Sequence, residues 1–309
     1  MRVWLGIKHM LDSRGLAKGF YRLSLILKRF GWTADRQVKG IGLYAAILKR
    51  QGIRGTFFIP GVVLEKYWKD IRRIDTGSVE WGIHGDVHTD FSKLISSDQR
   101  AHTRNAVRLF DDQGLKFFGF RAPYLKINEG ALDAIAAQGR FKYDSSYPVL
   151  WDEVYGKDEK FSGFIRDFYR PSQSSSSRAL PRMEKTLVEI PVSLPDDDIL
   201  VDRERLPPGR VLEIWTKILM KSHEKGEVFV LQLHPERIFE LGETLESLIE
   251  RAKAMDPPVW IAPLGEVAGW ASQGGCEGRW PAGARSAFSV TGDIDSITLF
   301  DFVDRVRKW

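Results

Sequence analysis

The chain has 309 residues, 43% hydrophobic and 28% charged, a balance that fits a globular fold and excludes a low-complexity or disordered chain. No stretch nears the ~18 unbroken apolar residues of a membrane-spanning helix. The single Cys276 excludes an internal disulfide, and residues 1–54 carry a net +10 of the chain's +5, leaving −5 for the other 255.

The first elements expected are a short strand through Val3, Leu5 and Ile7 and a helix from Leu16 to Phe30. The helix has one stripe of Leu16, Phe20, Leu23, Leu27 and Phe30, and Gly31 stops it. A helix over about 36–51 follows, and "GIRGTFFIPG" is a buried strand between glycines. The spacing then predicts helix 61–70, strand 78–84, helix 96–113, strand "KFFGFRAP", helix 128–138 and strand "RFKYDSS". "FYRPSQSSSSRALPR" is a flexible serine-rich insertion by composition. Next come strand "LVEIPVSLP", helix 208–225, strand "EVFVLQLHP" and helix 240–254. "VWIAPLGEVAGW" supplies another strand and helix, and "SQGGCEGRWPAGAR" (272–285) is a glycine-rich connector. A last strand holds "SVTGDIDS", and a helix from Leu299 to Arg307 ends the chain. This alternation predicts an α/β fold with a parallel sheet or barrel. With no internal repeat and no domain boundary, residues 1–309 form one domain.

Four short stretches carry chemistry. In "EWGIHGDVHTDFS" a strand ends at His84 and His88 follows at i+4, close enough to share a metal; Asp86 and Asp90 are candidate hydrogen-bond partners. Two unrelated histidines near a turn are the plainer alternative. In "GFRAPYLKIN" Arg121 leaves a buried strand, where a guanidinium pairs with a carboxylate or holds an anion. In "YDSSYP" Asp144 could orient a histidine or cap the next turn. In "VLQLHPER" His234 ends an apolar strand, suited to proton transfer or simply bonded to backbone.

Taken in order, "TFFIPG", "EWGIHGDVHTDFSKL", "FGFRAPY", "YDSSYP" and "VLQLHPER" resemble the polysaccharide deacetylase family, also called the NodB-homology family or carbohydrate esterase family four. The resemblance spans about residues 54–238. It implies a distorted (β/α) barrel that hydrolyses N-acyl groups from amino sugars with a divalent metal, commonly zinc, held by an Asp and two His. Carried onto this chain, it implies His84 and His88 as metal ligands and Arg121 as the residue steadying a catalytic base. Asp144 would orient His234, and His234 would protonate the leaving amine.

One part of the pattern is displaced. Members of the family carry an Asp pair on their first strand, one base and one metal ligand, ahead of the "TFF" strand. Here Lys8, His9 and Met10 stand there, and Asp12 is alone in the next turn. Either the chain is an inactive relative, or the pair comes from elsewhere. "SVTGDIDS" is the donor expected here: an apolar strand ending in D-x-D, with two carboxylates on one face. The fourteen-residue connector before it can span about 45 Å. The C-terminal segment 286–309 would then supply the barrel's first strand, with Asp293 as base and Asp295 as metal ligand. The alternative is a surface turn in which both acids cap the final helix.

The expected partner is a carbohydrate, lipid- or nucleotide-linked in one version. An inactive carbohydrate-binding relative and an amide hydrolase of a non-sugar compound remain open. The basic face is closer to cytoplasmic deformylases of lipid-linked formamido sugars than to secreted chitin deacetylases. It suits peripheral membrane contact through Trp4, Phe20, Tyr21 and Trp32, or burial of the same stripe in the barrel wall. Nucleic acid is not expected, because the basic excess is local and no recognition motif accompanies it. The N-terminus lacks the apolar core of a signal peptide, so the expected location is cytoplasmic, at or near the inner membrane surface.

Overall fold

A computed structural model of the chain describes Arg29 and residues 31–155, 159–275 and 280–301. The expected strand at Val3–Ile7, the helix up to Phe30 apart from Arg29, Asp12, Cys276 and most of the terminal helix lie outside the described residues.

Helix α1 (Asp35–Arg50) has Asp35 in its first turn and Lys49 and Arg50 in its last, which suits the helix dipole. It buries Ile41, Tyr44, Ala45 and Leu48 against the sheet. Then follow β1 (Gly55–Ile59), α2 (Gly61–Ile71), β2 (Val79–Ile83), α3 (Ser96–Asp112), β3 (Gly119–Phe120), α4 (Glu129–Ala136) and β4 (Tyr143–Asp144). The α4 N-terminus is capped by Asn128, whose side chain accepts from Ala131 N. β3 and β4 are much shorter than "KFFGFRAP" and "RFKYDSS" suggest, because the curling sheet keeps only Gly119 and Phe120 in register with Tyr143 and Asp144. Gly119 is required there: a Cβ would lie 1.9 Å from the Tyr143 ring.

The next stretch was not legible in outline. It contains β5 (Pro148–Leu150), α5 (Asp152–Tyr155), α6 (Glu159–Tyr169), β6 (Ser172–Gln173) and β7 (Arg182–Glu184). The serine-rich "insertion" is tied down rather than loose. Ser174 is buried and donates to Asp152 Oδ1 at 3.0 Å, and Ser175 N donates to the same oxygen at 3.0 Å. "LVEIPVSLP" splits into β8 (Leu187–Glu189) and β9 (Val192–Leu194). Then come α7 (Pro208–Lys225), β10 (Val228–Gln232), α8 (Ile238–Lys253), β11 (Val259–Ile261), α9 (Leu264–Ala271) and β12 (Ser286–Asp293). α7 starts at Pro208, where a missing N–H costs nothing, and stops at Gly226 in the left-handed region.

The main sheet runs β10-β12-β1-β2-β3-β4-β8-β7, with β11 on the first residues of β12. Every pairing is parallel except β7 with β8. It is a curled half-barrel in a mixed α/β fold. A second sheet, β6-β5-β9, approaches β10, where Val230 N donates to Ser193 Oγ at 3.3 Å. The C-terminal strand is therefore interior. β12 lies between β10 and β1, all eight of its residues are buried, and Thr56, Phe57 and Phe58 register with Thr291, Gly292 and Asp293. The pairing runs past the strand, with Ile294 N donating to Phe58 O at 2.8 Å. Tyr44 of α1 donates to Thr291 O at 3.1 Å and locks the first described helix onto the last strand. Among the described residues no helix is long and apolar enough to cross a membrane.

Candidate metal and catalytic site

In a parallel sheet the C-terminal strand ends share one edge, and ligand sites collect there. Here β2, β3, β10 and β12 each run off that edge into a polar residue: His84, Arg121, His234 and the pair Asp293 and Asp295. β12 being central, its two acids arrive beside residues from more than fifty positions away in the chain.

His84 and His88 are both buried, at 1% and 4% exposure. Gly85 lets them converge. Its φ of +77° suits glycine, and the turn it makes brings the rings to 5.0 Å between centroids. His84 Nδ1 sits 2.8 Å from the Arg121 carbonyl. A carbonyl only accepts, so Nδ1 carries the proton and Nε2 keeps its lone pair for a ligand. Neither Asp86 nor Asp90 bonds to these rings. Asp86 lies 3.7 Å from His102 Nδ1, and Asp90 accepts from Ser92 and pairs with Lys126.

Asp295 Oδ1 is 3.5 Å from His84 Nε2 and 3.1 Å from His88 Nε2. These three ligand atoms all lie within 4.8 Å of one another. Burial works against the Asp295 charge, but His88, then His84 and His234, more than offset it and hold the carboxyl well below the usual range. Two buried imidazoles and one partly buried carboxylate, convergent, are a donor set that fits a divalent ion such as zinc.

Asp293, 1% exposed, accepts from Arg121 Nη1 at 2.8 Å. Arg121 is wholly buried and fully held. Its Nε donates to Ser145 O at 2.9 Å, Nη2 to Ser145 Oγ at 3.0 Å and Nη1 also to Thr291 Oγ1 at 2.8 Å. The Phe58 ring lies under its guanidinium at 4.4 Å. Asp293 is thus fixed on one side and does not cap a surface turn.

His234 Nε2 is 4.0 Å from Asp295 Oδ1, so its ring faces the same centre. Its Nδ1 is held by Asp197, at 2.9 and 3.0 Å to the two carboxylate oxygens. This corrects the role expected of Asp144, which accepts from Ser146, stands in register with Glu189 and does not hold His234. Burial opposes the His234 charge, yet Asp197 and Asp198 outweigh it and raise its pKa well above the ordinary histidine value. Around them Arg29 pairs with Asp198 at 2.8 Å and with Glu236, and Arg237 pairs with Asp202. Burial, with Asp198 and Asp197 beside it, pushes Asp196 up to about 8. The missed signal was "PDDDI" directly after a predicted strand: three acids at a strand end, one of which had to face the cation of the next strand end.

Tyr124 borders the site, its ring edge-on to His88 at 4.5 Å between centroids. It and Leu125 hold φ values of +61° and +54°, a conformation that costs a non-glycine residue about 1–3 kcal/mol and that the surrounding packing must impose.

The parallel half-barrel thus gathers an Asp, two His, an Arg-held Asp and an Asp-held His at its strand ends. Residues 43–141 match the family model for polysaccharide deacetylase, the family that the order of the motifs resembles. A peptidoglycan deacetylase-like protein of Gibberella zeae is 26% identical over 254 residues, 74% of each chain. Among solved structures, a polysaccharide deacetylase from Mycobacterium smegmatis aligns at TM-score 0.59 and 23% identity, over 76% of this chain and 77% of the other. One from Pseudomonas aeruginosa PAO1 gives 0.60 and 17%, over 77% and 74%. An allantoinase gives 0.59 and 18%, over 76% and 73%. These likenesses establish the barrel-like fold that the motifs imply.

Proposed function

We propose that this protein hydrolyses the N-acyl group of an amino sugar, using a divalent ion held by His84, His88 and Asp295. The observation that carries this reading is the convergence of Asp295 on the two imidazoles, 3.1 and 3.5 Å away. A bound divalent ion polarises an amide carbonyl and lowers the pKa of its water. The rest falls to the chain. Asp293, held from behind by Arg121, is placed to accept a proton from the attacking water. His234, protonated and gripped by Asp197, faces the same centre and can donate to the leaving nitrogen. The two proton carriers come from adjacent strands, β12 and β10, so their spacing is set by the sheet rather than by loops.

Asp295 beside His84 and His88, with Asp293 held by Arg121, supports an active site over the inactive-relative alternative. The relative from Gibberella zeae supports a sugar polymer, while the fold is shared with an allantoinase and accommodates small amides as well. The test is amine release by zinc-loaded protein from N-acetylglucosamine oligomers, nucleotide-linked N-acetyl sugars and small cyclic amides. Turnover of the first group that His84→Ala abolishes supports the reading; turnover of cyclic amides alone replaces it with a non-sugar amidase.

A further inference from the structure

Asp144 leaves the acid machinery but stays in a position that needs an explanation. It sits at the end of β4, directly opposite Glu189 at the end of β8. Both side chains are at 0% exposure, on residues that the register sets side by side across neighbouring strands. Asp144 Oδ1 accepts from Ser146 Oγ at 2.7 Å, and Glu189 Oε1 accepts from Tyr147 N at 3.1 Å. The other two oxygens, Asp144 Oδ2 and Glu189 Oε2, accept no hydrogen bond from any described donor.

Among the described residues no cation bonds to either carboxyl, although Arg121 and Arg182 act on the pair from beyond hydrogen-bond contact. Arg121 faces Asp144 but commits its donors to Ser145, Thr291 and Asp293. Arg182 on β7 faces Glu189 from a half-exposed position, with its own partner in Glu184. The remaining titratable neighbour is Tyr147, which burial and the two carboxyls push up to about 12; Glu129 and Glu184 act on it from further off. Two carboxyls side by side in a dry site, with no cation bonded to either, do not both stay ionised.

We propose that Asp144 and Glu189 share one proton, as a carboxylic acid bonded to a carboxylate, and that this bond positions the 144–147 turn on which Arg121 rests. The turn is the link to the reaction, and to that extent the inference rests on the proposed function. Ser146 Oγ passes the Asp144 bond on to Ala122 N at 2.8 Å. Ser145 carries both its carbonyl and its hydroxyl to Arg121. Asp144 and Glu189 are therefore positioning residues, acting on the base Asp293 through Ser145 and Arg121.

Removing the shared proton places two charges in the pair, so the device fails toward alkaline pH. The sign is that of an acid raised on folding: Glu189 is held well above its ordinary value by burial and by Asp144. The folded protein keeps a proton that the unfolded chain releases, and stability falls as pH rises from the ordinary carboxylate range through the folded value.

The experiment compares wild type with Glu189→Gln and Asp144→Asn. Each amide supplies a permanent N–H to the other carboxylate, reproducing the shared proton without the titration. The first measurement is Tm of zinc-loaded protein from pH 6 to 9. Wild type should lose about 2–4 °C more per pH unit than either variant within the titration window. The second is the alkaline fall of kcat on N-acetylglucosamine oligomers, steeper in wild type than in Glu189→Gln. Glu189→Ala should lose stability at every pH, with Glu189→Gln restoring it. Parallel Tm profiles for wild type and both amide variants overturn the proposal. So does a loss of stability in both amide variants at all pH values, which points to a bound cation between two carboxylates. The Tm measurement needs no turnover, so it stands even if no tested amide is a substrate.

Discussion

Asp197 and Asp144 are both buried aspartates near strand ends, and only their partners separate them. Asp197 grips His234 Nδ1 with both oxygens, while Asp144 meets a serine and a glutamate. Asp197→Ala should therefore lower kcat about 100-fold or more, the scale of losing an oriented acid, and leave zinc content unchanged. Asp144→Asn should cost far less near neutral pH; a reversed ranking in steady-state kinetics would return Asp144 to the acid's support. Arg121→Leu tests a different effect. It leaves Asp293 buried and uncompensated, and breaking such a pair costs about 3–5 kcal/mol. Urea denaturation of metal-free protein should show that loss, and Asp293→Asn added to Arg121→Leu should recover part of it. His84, His234 and Arg121 were legible because each follows an apolar run that must end at the sheet edge, and His88 because it stands at i+4 from His84. Asp197 was not, because which of three consecutive acids turns inward depends on Arg237, Arg29 and His234 from other parts of the chain.

At the scale of elements, the decisive one is β12. Its apolar run and terminal D-x-D were visible in "SVTGDIDS", and the alternation of the whole chain left room for one more parallel strand. The pairing itself lies beyond local sequence: β12 contacts β1 across more than 200 positions. Because β12 is central, deleting 286–309 should give insoluble protein rather than a folded, metal-free one, so point substitutions are the informative tool. The turn between the two histidines is a second element under constraint. Gly85→Ala forces a Cβ into a φ of +77°, 3.1 Å from Phe91. It should destabilise by about 1–2 kcal/mol and weaken zinc binding, since His88 shifts with the turn. Calorimetric Tm and zinc titration on one preparation check both, and unchanged zinc affinity would mean that the turn does not position His88. The serine-rich stretch shows the limit of composition. Ser174 and Ser175 look like linker residues until Asp152, more than twenty positions earlier, accepts from both.

At the scale of the molecule, the fold was the most legible level, since strand–helix alternation with buried strands admits few architectures. The second sheet and the helix Asp152–Tyr155 were not, because short strands and a four-residue helix leave no period to detect. The fold gathers one site from opposite regions of the chain: two histidines from the segment after β2 and a carboxylate from the segment after β12. That junction is the central claim. Its most direct test is calorimetric titration of zinc into metal-stripped wild type and Asp295→Asn, both first shown to be folded by circular dichroism. One ion per wild-type chain is expected, with affinity at least 100-fold weaker in the variant. Equal affinity in the two proteins, or no zinc bound by wild type at micromolar concentration, contradicts a metal site shared between His84, His88 and Asp295.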